Sequence, residues 1–134
     1  MDTLALLQPW LRTCPALEGE ALLLDFLGRA SGWSLSAVQE TPHRDILGIP
    51  GGSITVKLSR RCIPADDRER AAARTALASA AAWAEENAPG TVIGGHLRLL
   101  AASCRGPVQL ASRGSAGSED YERLLTIIFE RTGE

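Results

Sequence analysis

Six aromatic residues in 134 leave this sequence little to stack with: three Trp, two Phe and one Tyr. Proteins that hold single-stranded nucleic acid combine aromatic platforms with a cationic groove. The formal net charge here is -2, so the chain lacks both, and a dedicated nucleic-acid binder is not indicated. Lysine is nearly missing as well, with Lys57 standing beside 13 arginines. Together with 20 alanines, this skew fits a GC-rich genome as readily as a physical demand. Cys14, Cys62 and Cys104 are few, far apart and odd in number, and no CxxC pair exists. Zinc-knuckle and thioredoxin-type chemistry are therefore not indicated, and reduced thiols in a cytosolic protein are expected. No run reaches the roughly 18 uncharged apolar residues of a membrane span. The opening MDTLALLQPWLR places an acid where a secretory signal carries positive charge, so no signal is expected.

What is present is an ordinary globular mix, 45% hydrophobic and 22% charged. That size and composition predict one domain over residues 1–134. Leu4, Leu7 and Leu11 share one stripe of a helix expected over Thr3–Cys14, with Asp2 or Thr3 as cap and Pro15 as terminator. Pro9 either kinks this helix or starts it. Ala21–Leu27 reads as a short strand with an unexpected internal Asp25. Trp33–Gln39 alternates as a half-buried strand that Thr41-Pro42 breaks. Arg44–Ile49 reads as a short strand or arm, and Pro50-Gly51-Gly52 as a turn. Ser53–Arg61 is the clearest strand, with Ile54, Val56 and Leu58 alternating against Thr55, Lys57 and Ser59.

Asp66–Asn87 is the clearest helix. Acids open it, where the helix dipole favours them, alanines fill it, and Pro89-Gly90 stops it. Its large apolar residues are Leu77 and Trp83, so its attachment should lean on Trp83. Leu97–Cys104 is ambiguous, and 107–112 is extended. RGSAGSED, 113–120, reads as a polar loop, and Tyr121–Glu130 as a closing strand favoured by Ile127-Ile128. The expected fold is α+β: a mostly antiparallel sheet with an N-terminal helix and one long Ala-rich helix packed on it.

Chemistry-bearing residues are sparse. His43, Asp45 and His96 are the material for a small cytosolic enzyme or a metal site, with a cysteine as nucleophile, but no spacing fixes them. The glycines at 51–52 and 90–95 match no phosphate-loop pattern and suit turns. Two charge clusters stand out, Arg60-Arg61 at the end of the clear strand and DDRER from Asp66 at the start of the long helix. They read either as a solvated face or as the acidic and basic edges of a subunit contact.

The ordered series of segments resembles small minor capsid and tail proteins of tailed phages and prophages, and is similar to tail terminators. LRTCP at 11–15, LLLDFLG at 22–28 and GWSLSAVQETPHRDIL at 32–47 carry the first half of the likeness. GGSITVKLSRR at 51–61, WAEEN at 83–87 and DYERLLTIIFE at 120–130 carry the rest. The family usually has more aromatics where this chain has Lys57 and Ile127-Ile128, and 97–112 matches poorly. The resemblance implies a non-enzymatic tail terminator or completion protein, without cofactor, forming a hexameric ring at the head-proximal end of the tail tube. A head–tail connector or head-completion role is the neighbouring alternative. Implied partners are further copies, the major tail tube protein and the connector proteins, with no membrane and no specific nucleic acid. The implied location is the virion tail, assembled in the bacterial host cytoplasm. The expected contact residues are Arg44, Asp45, Arg60, Arg61, Asp66, Asp67 and Arg113, with the arm at 42–52 and the loop at 113–120.

Overall fold

Asp2 begins the structure by accepting the Leu4 N–H and capping α1 (Thr3–Leu11). The computed structural model describes residues 2–25, 31–44, 47–114 and 117–131. α1 stops at Leu11, short of the expected Cys14, and carries Pro9 inside it rather than at its start. A 3-10 turn at Pro15–Leu17 follows, with Pro15 opening it. β1 (Leu22–Leu24) is only three residues long. Asp25 ends it in the left-handed region at φ 58, a conformation that Asp tolerates better than most residues. This explains an acid that looked out of place inside a strand.

The remaining elements are β2 (Gly32–Arg44), β3 (Pro50–Cys62), α2 (Asp67–Asn87), β4 (Val92–Ile93), β5 (Leu97–Arg113) and β6 (Glu119–Arg131). They form one six-stranded sheet in the order β1-β2-β3-β6-β5-β4. The expectation of a mostly antiparallel sheet with an N-terminal helix and one long Ala-rich helix on it is corrected. The sheet is curled, and it is mixed because β1 adds to β2 in parallel, Leu22 against Trp33. Strands occupy half of the described residues, so the two helices cover a strand-dominated molecule. The class is α+β.

Two expected breaks are also corrected. Thr41-Pro42 does not end β2, since Pro42 pairs with Gly52 and the strand runs on to Arg44. Pro50-Gly51-Gly52 is strand, not turn. The prolines are tolerated because they flank the hairpin tip, Pro42 near the end of β2 and Pro50 at the start of β3. The glycines are there for space. A Cβ on Gly51 would drive into the backbone of Phe129, and one on Gly52 would lie 2.7 Å from the Thr41 carbonyl oxygen. A bulge at Val38 shifts the β2–β3 register between Ala37 and Gln39.

Ile54, Val56 and Leu58 face the helices and are fully buried, together with Leu125, Ile127 and Phe129 of β6. The other face carries Thr55, whose hydroxyl meets that of Thr126 at 3.0 Å, and Lys57, 3.7 Å from Glu122. α2 lies close on the sheet through Ala73, Leu77, Ala80, Ala81 and Ala84. Small side chains permit that approach, and Trp83 stacks against Trp10 of α1 at 5.3 Å, joining the two helices. α2 and the segment that follows it also seal the outer edge of β5. Glu85 accepts the Cys104 N–H at 2.8 Å, Arg74 donates to the Val108 carbonyl at 3.0 Å, and Gly90 and Thr91 bond to Leu99. None of the described helices is long and apolar enough to cross a membrane.

Candidate functional site

Several of the charges singled out in the sequence converge at the β5–β6 hairpin, through residues that the sequence placed in a loop. Glu119 and Asp120 are the first residues of β6, and the turn before them is closed by the Gly114 N–H on the Ser118 carbonyl and the Gly117 N–H on the Gly114 carbonyl. Arg61 grips Asp120 with two bonds, Nε at 2.6 Å and Nη2 at 2.9 Å, and the Ser112 hydroxyl adds a third at 3.0 Å. Register explains the pairing, since Arg61 stands opposite Asp120 across β3 and β6. Beside them, the Glu119 side chain is only 5% exposed. Its carboxylate accepts from the Tyr121 hydroxyl at 2.7 Å, from Arg70 Nε at 3.0 Å and from Arg113 Nε at 3.2 Å.

The electrostatics follow from these contacts. The Tyr121 hydroxyl and then the Arg70 guanidinium hold the Glu119 carboxyl below the usual range, against its burial. Arg61 does the same for Asp120. Burial and the neighbouring carboxylate push the Tyr121 phenol up. Glu119 therefore stays ionised and committed to three donors, which suits a structural clasp rather than proton transfer. Arg74 lies over the Tyr121 ring at 5.4 Å and closes the cluster from α2.

The expected contact residues thus divide. Arg61 and Arg113 are bound within the chain. Asp66 is the N-cap of α2, accepting the Glu69 N–H at 3.0 Å, while Glu69 reaches back to the Ala65 N–H in a capping-box arrangement. Asp67 is exposed and pairs with Arg70 at 2.8 Å. Arg60 lies over Trp33 at 5.3 Å, with Nε and Nη1 buried and no hydrogen-bond partner among the described residues. Arg44 donates to the Gly48 carbonyl at the tip of the β2–β3 arm. Asp45 lies outside the described residues.

His43 is exposed on β2, paired with Gly51, and His96 sits in the turn before β5. Among the described residues no three His, Cys, Asp or Glu side chains group as metal ligands. Cys14, Cys62 and Cys104 are free thiols, and burial pushes each above its usual range.

Exposed large apolar side chains are spread over the described residues, with Ile63 after β3, Leu100 and Leu110 on β5 and Ile128 on β6 besides those of the arm and of β4. The β2–β3 arm exposes Leu47 (81%), Ile49 and, at the bulge, Val38. A groove of about 490 Å3 runs between α1 and β4, lined by Ala5, Leu6, Pro9, Trp10, Val92 and Ile93. Sequence reading found the arm but missed the groove, because α1 and β4 meet only in the fold. It also missed Arg70, Glu119, Asp120 and Tyr121 as one cluster. The signal was available: Glu119, Tyr121 and Arg123 alternate with Asp120 and Glu122, a strand pattern hidden behind a Gly/Ser-rich loop.

No family model and no curated protein matches the sequence. The fold does have a counterpart among solved structures. The chain is similar to one in a structure titled "Virion of native gene transfer agent (GTA) particle", with a TM-score of 0.58 and 17% identity. The likeness covers 97% of this chain and 99% of that one.

Proposed function

We propose that this protein is a structural component of a phage-like particle, a tail terminator that repeats as a ring on the head-proximal end of the tail tube. The observation that carries the reading is the likeness to a chain of a gene transfer agent virion over nearly the full length of both. The ordered sequence resemblance to minor capsid and tail proteins agrees with it. The ring is a homo-hexamer, in contact with the major tail tube protein on one side and the connector proteins on the other. It acts without a catalytic group, and its place is the virion tail, reached after assembly in the host cytoplasm.

Its subunit contacts draw on Arg44 and Asp45 of the arm, on Arg60, whose buried donors lack a partner within the described residues, and on the exposed acids Asp66 and Asp67. Arg61 and Arg113 serve indirectly, by fixing the hairpin beside those acids. A head-to-tail contact of this kind closes a ring when the rotation between copies allows it.

The test is native mass spectrometry of the purified chain, followed by negative-stain imaging with tail tubes assembled from the major tail protein of the same particle. The expected result is a hexamer, and a single ring at one tube end. A strict monomer that leaves tube ends bare sinks the terminator reading. Rings that bind the head portal and ignore tubes replace it with a connector role.

A further inference from the structure

We draw no further inference here: the strongest candidate, the apolar groove between α1 and β4 lined by Leu6, Trp10, Val92 and Ile93, carries none, because nothing in the structure shows what covers it.

Discussion

At the β5–β6 hairpin, Arg61, Arg70 and Arg113 spend their charge on Asp120 and Glu119, inside one chain. At the β2–β3 hairpin, the tip exposes Leu47 and Ile49, and Arg44 donates to the Gly48 carbonyl. The two hairpins are built from strands of similar length on one sheet, yet one is clasped by side chains and the other is packed through its backbone. Gly51 and Gly52 let the arm's backbone lie against Phe129 and Thr41, and Arg131 stacks on the Phe129 ring at 5.6 Å. At the clasped end the Glu119 and Asp120 carboxylates are already satisfied within the chain, which makes those two acids poor contacts for a partner. The arm leaves Leu47 and Ile49 exposed. A cluster of opposite charges is thus a weak guide to an interface until the fold shows whether the charges have already met.

The largest expected effect comes from breaking the arm's backbone packing. Gly51→Val puts a side chain into the Phe129 backbone, which cannot rotate away, and should cost about 3 kcal/mol in urea unfolding. Next is the clasp. Asp120→Ala strips the half-buried Arg61 of its bidentate partner and should cost about 2 kcal/mol, read as a lower urea midpoint. Acid dissects the same end without mutation. Glu119 and Asp120 are held below the usual carboxylate range, so their contribution is complete above that range. It drains away as the pH falls below about 4 and they take up protons. The melting temperature should therefore drop more steeply between pH 5 and pH 3, on the order of the carboxylate range, in the wild type than in Asp120→Ala. The smallest effect is expected at the tip. Leu47→Ser should change stability by less than about 0.5 kcal/mol while weakening self-association. A large loss of stability there would mean that the tip packs at home rather than abroad.

The parts of the fold that were legible in the sequence had a period and a stop. Ser53–Arg61 alternates cleanly, and Asp66–Asn87 has acids at one end and Pro89-Gly90 beyond the other. The misread parts are those where punctuation residues were used for another purpose. Pro42, Pro50, Gly51 and Gly52 look like turns, but they serve close backbone approach and the end of an arm. Gly114, Gly117 and Ser118 do form a turn, and they drew Glu119 and Asp120 into the loop with them. The contact of Arg70 with Glu119 spans 49 positions, and that of Arg61 with Asp120 spans 59. No local pattern announces such pairs; the register of β3 against β6 sets the second, and the placement of α2 on the sheet sets the first. The parallel placement of β1 was equally hidden, because three residues are too few to declare a direction.

β6 follows every other strand along the chain and yet sits in the middle of the sheet. The β2–β3 hairpin and β5 can each form without β6, but no strand pairing joins the two until β6 threads between them, and only the helices bridge them. Until then the inward edges of β3 and β5 are both bare, each facing the gap that β6 will fill. Loss of β6 would not leave a smaller version of this protein; it would leave two fragments of sheet with sticky sides. The molecule is therefore built as an arch is, with β6 as the keystone that joins the two halves of its sheet.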